Sequence, residues 1–283
     1  MLKKISQMTI IILLSIFSFY YTNKSIEIIS IQDPLMKEIK NKTNKYNIEA
    51  TKATIKNNTI IPGINGKEID YETSYKKMKE YGNYNEFLIT LKDVKPAISI
   101  NDNYDKYIIR GNKKIKSVAL VFVIENTFPS NIIKILNSKN IKATFFVDGI
   151  YIENNYQELE KMNNFELELL SYNFSYNVVE FVSSKNYLEA LTNKQLKFCY
   201  SEKENDELIE LCQKLKMHTI IPTIKIKNNL YKEIKENLSN SIIISIPITS
   251  NVEKKLSLTI NYIKSRGYTF KTLEELISEN IDK

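Results

Sequence analysis

Lys142-Ala143-Thr144-Phe145-Phe146-Val147-Asp148-Gly149 joins a run of strand-forming side chains to an Asp-Gly pair. β-Branched and aromatic residues fit a pleated backbone, and a run that is apolar on both faces marks a strand covered on both sides. Asp148 and Gly149 supply turn chemistry where such a strand leaves its sheet. Upstream, residues 118–124 read as another buried strand, and between the two Ser130 can cap a helix carrying Ile132, Ile133 and Leu136. Downstream, residues 165–170 are strand-like, 206–215 helical, and 219–221 and 242–246 strands. Leu256, Ile260 and Ile263 line a helix that closes at Lys264, Arg266 and Gly267, and residues 268–270 form a last strand. Thr272 and Glu275 make a capping box that opens a final helix with Leu273, Leu276 and Ile277 inward. Strand then helix, repeated, predicts a parallel α/β architecture, either a barrel or a doubly wound sheet.

The amino-terminal side is different. Lys3 and Lys4 precede an apolar run from Met8 to Tyr21, the pattern of a secretory signal or a short anchor with its amino end in the cytoplasm. Ser18, Tyr20 and Thr22 make a poor small-residue cleavage site, which favours a retained anchor. The expected organisation is residues 1–24 as signal-anchor or signal peptide, 25–112 as a stalk or cap, and 113–283 as the α/β domain. Residues 5–22 would meet the membrane, and the remainder would lie outside it. Within the cap, one helix is expected around residues 73–81. Ile60-Ile61-Pro62-Gly63-Ile64-Asn65-Gly66 carries turn chemistry and no catalytic chemistry.

The quoted stretch resembles the second-strand signature of the polysaccharide deacetylase superfamily, the NodB-homology or carbohydrate esterase family 4 group. Its neighbours fall in the family's order. Val118-Ala119-Leu120-Val121-Phe122 precedes it, Phe165-Glu166-Leu167-Glu168-Leu169-Leu170-Ser171-Tyr172-Asn173-Phe174 follows, and Arg266-Gly267-Tyr268-Thr269-Phe270 stands near the end. The resemblance covers about residues 115–278. It implies a distorted (β/α) barrel with its site at the carboxyl ends of the strands. It also implies a divalent metal such as zinc, held by an aspartate and an H-x-x-x-H pair.

Each family position is occupied here by a side chain of another kind. The T-F-D-D-G segment corresponds to Val121-Phe122-Val123-Ile124-Glu125, so Val123 and Ile124 replace the base and the metal-ligand aspartate. Leu170 and Phe174 replace the two ligand histidines, Phe198-Cys199-Tyr200 stands for the groove segment, and Ile246 falls at the acid histidine of the late L-H-D segment. Aliphatic and aromatic groups have no lone pair for zinc and cannot sharpen a bound water into a nucleophile. The expected site therefore has no catalytic residue, no metal and no cofactor. The resulting expectation is a pseudoenzyme that binds a cell-wall polysaccharide or docks another envelope protein. The alternative is a carbohydrate deacetylase, a hydrolase of N-acetyl C–N bonds, with a rearranged site.

Other chemistry finds little support. Glu125, Asp148, Glu166 and Glu168 could supply carboxylates, but Glu166 and Glu168 alternate with apolar residues and are expected to face helices or solvent. The single histidine, His218, sits at a strand entry away from every motif and cannot make a ligand pair. Cys212 completes an apolar helical stripe with Leu208, Leu211 and Leu215, so an inert buried thiol is expected, although it could pair with Cys199 in an oxidising compartment. The formal charge of +7 is scattered along the chain and points to an anionic surrounding, with no nucleic-acid motif beside it.

Overall fold

The structure is a computed structural model that describes residues 8, 10–20, 33–170 and 178–280. Its strands are β1 (Thr54–Lys56), β2 (Thr59–Ile61), β3 (Gly66–Ile69), β4 (Leu91–Val94), β5 (Tyr107–Ile108), β6 (Ser117–Ile124), β7 (Thr144–Val147) and β8 (Glu166–Leu169). They continue with β9 (Phe198–Tyr200), β10 (His218–Ile220), β11 (Ile224–Lys225), β12 (Ile242–Ile246) and β13 (Thr269–Lys271). The described chain divides into two units, residues up to 50 with Gly66–Val94, and Thr51–Asn65 with residues 95–280.

The smaller unit has a core of its own. Helices Pro34–Thr43 and Tyr71–Tyr81 bury Met36 and Ile39 with Tyr75 and Met78, and β3 pairs with β4 as an antiparallel hairpin. The second helix begins where the Asp70 carboxylate accepts the Thr73 N–H at 3.0 Å and ends at Gly82, whose φ of 101° favours glycine. Residues 10–20 are helical, with their large apolar side chains exposed. Among the described residues no helix is long and apolar enough to cross a membrane.

The larger unit is α/β. Helices Ser130–Ser138, Gly149–Leu159, Val178–Thr192, Asp206–Lys214, Leu230–Asn237 and Ser250–Ser265 alternate with the strands. One sheet runs β11-β12-β6-β7-β8, with β13 also paired to β6, and these strands are parallel. The other runs β1-β2-β5-β10-β9. Period-two alternation sorts β6 between two cores. Val118, Leu120, Phe122 and Ile124 face the helix-side core, whereas Ala119 and Val121 join Phe146, Phe198, Tyr200, Ile220 and Ile243 in a core fed by both sheets. Phe122 stacks on Phe145 at 5.1 Å within the first of these, so truncating either ring would cost about 3–5 kcal/mol. Between β8 and β9 a side chain replaces the backbone ladder. The Glu168 carboxylate accepts the N–H groups of Lys197 and Phe198, each at 3.1 Å.

Three local expectations change. The boundary expected at residue 112 falls elsewhere, because β2 and β5 pair in parallel and β5 continues onto β10, placing Thr51–Asn65 and the chain after Lys95 inside the larger unit. Strands of two and three residues carry too little alternation to be read from sequence. Ser130 is the first helical residue and not the cap; Pro129, with its fixed φ, holds the cap position and makes no side-chain hydrogen bond. Cys199 and Cys212 are joined as a disulfide, so the inert thiol expected at Cys212 is not present.

Candidate functional site

The carboxyl ends of β6, β9, β11 and β12 surround a cleft of about 420 Å³. Val123 and Ile246 line it, with Glu125 and Asn126 beyond β6, Tyr200 from β9 and Lys225 from β11. Lys225 forms an ion pair with Glu202 at the rim. Glu125 and Asn126 also border a neighbouring hollow of about 430 Å³, together with Asp148 and the first turns of helix Gly149–Leu159.

Backbone alternation explains which groups reach the cleft. Cys199 points outward to its disulfide with Cys212 on helix Asp206–Lys214, so Tyr200 turns inward. Its hydroxyl meets the Ser245 hydroxyl at 2.8 Å, and burial pushes its pKa up to about 12 even though the Ser245 hydrogen bond favours ionisation. Tyr200 therefore stays neutral and acts as a hydrogen-bonding wall. Asp148 is buried, and its carboxylate accepts the N–H groups of Ile150 at 2.9 Å and Tyr151 at 3.3 Å. It caps the helix, in keeping with the turn chemistry read for it.

The residues expected at the family positions are only partly gathered. Val123 and Ile246 line the cleft. Ile124 is sealed in the helix-side core, Leu170 is sealed in the core between the sheets, and Phe174 lies outside the described residues. None of the four described positions offers a lone pair to a cation. Among the described residues no three His, Cys, Asp or Glu side chains gather as a group able to hold a metal. The donor set at Val123, Ile124, Leu170 and Ile246 therefore does not fit the divalent ion that the resemblance implies, and no hydrolytic step can be derived through one.

Of the two surroundings expected for Glu166 and Glu168, helices or solvent, the structure gives protein. Both side chains leave β8 on the face opposite Leu167 and Leu169, and that face meets protein. Glu168 is 3% exposed, and Glu166 accepts the N–H groups of Leu273 at 2.7 Å and Glu274 at 3.1 Å, capping helix Leu273–Ile277. Burial pushes both pKa values up, and for Glu168 the neighbouring Glu166 charge adds to the shift. His218 is buried and stacked on Tyr104.

Residues 110–235 match the family model for polysaccharide deacetylase, so this part of the chain is similar to the NodB/carbohydrate esterase family 4 domain. It is 25% identical over 277 residues to the uncharacterized protein YlxY of Bacillus subtilis strain 168, covering 90% of this chain and 87% of that one. Among solved structures it is similar to wild-type BA3943 of Bacillus anthracis, described as a family 4 pseudoenzyme. That likeness has a TM-score of 0.64 and 25% identity, over 89% of this chain and 97% of the other. A family 4 carbohydrate esterase from Bacillus anthracis shares the fold with a TM-score of 0.52 and 20% identity, over 61% of this chain and 87% of that one.

Proposed function

We propose that this chain is a non-catalytic polysaccharide deacetylase-type protein of the cell envelope. Its two sheets form an opened (β/α) barrel that presents a glycan-binding surface, held at the membrane by its amino-terminal segment. The observation that carries the reading is the pair Val123 and Ile246 in the cleft, where the family places its base and its acid histidine. Two further observations support it. BA3943, which matches nearly the whole chain, is itself described as a pseudoenzyme. A buried disulfide suits an oxidising compartment, and helical residues 10–20 expose apolar side chains as an anchor in lipid would.

The cleft chemistry agrees with binding without turnover. Tyr200, Ser245 and the Glu202–Lys225 pair offer hydroxyl, carboxylate and ammonium groups beside an apolar floor, a mixture that can hold sugar hydroxyls. The test is sedimentation of the full chain with insoluble peptidoglycan, alongside an acetate-release assay on the same polymer. The expected outcome is retention on the polymer with no acetate released above a no-protein control. Release of acetate would establish the rearranged enzyme instead, and absence of retention would remove the glycan reading.

A further inference from the structure

A pocket of about 520 Å³ opens at the amino ends of β9 and β10. Phe198, the first residue of β9, and His218, the first of β10, line it, whereas Tyr200 at the far end of β9 lines the cleft. No residue of the cleft takes part in it.

His218 is the feature that asks for a ligand. Its side chain is 6% exposed and its ring stacks on Tyr104 with centroids 4.3 Å apart and planes 14° from parallel. Its Nδ1 is shut off from solvent and has no hydrogen-bond partner. A buried polar atom without a partner is costly and uncommon, and it marks a position where a bound group or water completes the structure. Burial also lowers the His218 pKa to about 4, so the ring is neutral near pH 7 and serves as a platform and a hydrogen-bonding group.

The charges around it are unevenly matched. Lys95, Lys197 and Lys216 line the pocket against Glu274 and Glu279. Glu274 pairs with Lys197, while the Glu279 carboxylate accepts the Gly63 N–H at 3.0 Å, the Ile100 N–H at 3.2 Å and the Ser99 hydroxyl. Three lysines against two glutamates leave the pocket one positive charge in excess, and Lys95 and Lys216 are its exposed cations. Asn101 and Gln195 add amide donors and acceptors. An aromatic platform, amides and two exposed lysines in a pocket with a net positive charge together suit a sugar ring that carries an acidic group.

We infer that this pocket binds an anionic saccharide unit, with the Tyr104–His218 stack beneath the ring and Lys95 and Lys216 receiving its carboxylate or phosphate. The ligand class rests on the envelope-glycan reading above, whereas the position of the site rests on the pocket itself.

Because the chain has one histidine, its imidazole ¹⁵N signals report on this site alone. The experiment titrates the full chain with N-acetylmuramic acid, and with N-acetylglucosamine as the uncharged control. The expected result is a saturable shift of the His218 signals by the acidic sugar, with affinity for the neutral sugar about tenfold or more lower. His218→Phe should abolish binding. Because that variant can fail to fold, the exposed pair Lys95→Gln with Lys216→Asn serves as the second probe and should weaken binding about tenfold or more. Binding of either sugar that leaves the His218 signals unmoved and is unaltered in the lysine variant would overturn this site and leave the proposed function standing. No perturbation by either sugar, joined with no retention on peptidoglycan, would overturn both.

Discussion

Glu168 holds its place between β8 and β9 by accepting two backbone N–H groups in a position 3% exposed, and this has a consequence for pH. Burial raises its pKa above the unfolded value, as it does for Glu166. A carboxyl shifted upward stabilises the fold fully below its unfolded pKa, and that contribution is lost as pH rises through the folded value. Melting temperature should therefore fall as pH rises above the ordinary carboxylate range, more steeply in the parent chain than in Glu168→Gln, which keeps the acceptor and removes the titration. Equal slopes in calorimetry would show that Glu168 is not the group responsible. Sequence alternation separated Glu166 and Glu168 from Leu167 and Leu169, as the structure does. What it could not show is that their face meets β9 and helix Leu273–Ile277, because that depends on how distant strands come together. The place of Val123 at the end of a strand was legible since a motif of adjacent residues carried it, and the residue lines the cleft. Tyr200 as a neutral wall was not, because its partner Ser245 is 45 residues away.

At the scale of elements, the disulfide ties β9 to helix Asp206–Lys214 and so fixes the strand that supplies Tyr200. The bond closes a segment with a sequence separation of 13, for which loss of the cross-link costs about 3 kcal/mol. Reduction of the full chain should lower its thermal midpoint by several degrees, and Cys199→Ala with Cys212→Ala should reproduce the shift without reductant. An unchanged midpoint after verified reduction would mean that the helix is held by its apolar contacts alone. The apolar stripe of Leu208, Cys212 and Leu215 was readable, yet the same stripe made a buried thiol look sufficient. Pairing depends on what the stripe packs against, and that was β9. The final helix was readable in full detail, since Thr272 and Glu275 form the capping box from side chains three residues apart. Strands β1, β2 and β5 were not readable, being too short to show a period, and the pairings of β5 with β2 and β10 join segments far apart in the chain.

Across the whole molecule, the α/β unit was announced by strand and helix in alternation, and the family it is similar to by one eight-residue string with its neighbours in order. Residues 25–112 were read as a stalk or cap because the stretch is polar and turn-rich, and within it Met36, Ile39, Tyr75 and Met78 make a core between two helices. The cleft lined by Val123 and Ile246 offers no donor set for a metal among the described residues, and the proposal made from this is binding without hydrolysis. Calorimetric titration of zinc into the full chain near pH 7, run beside an acetate-release assay on N-acetylated glycan, tests this most directly. The account predicts no stoichiometric zinc uptake and no zinc-dependent acetate release. Uptake of one zinc per chain accompanied by acetate release would contradict it.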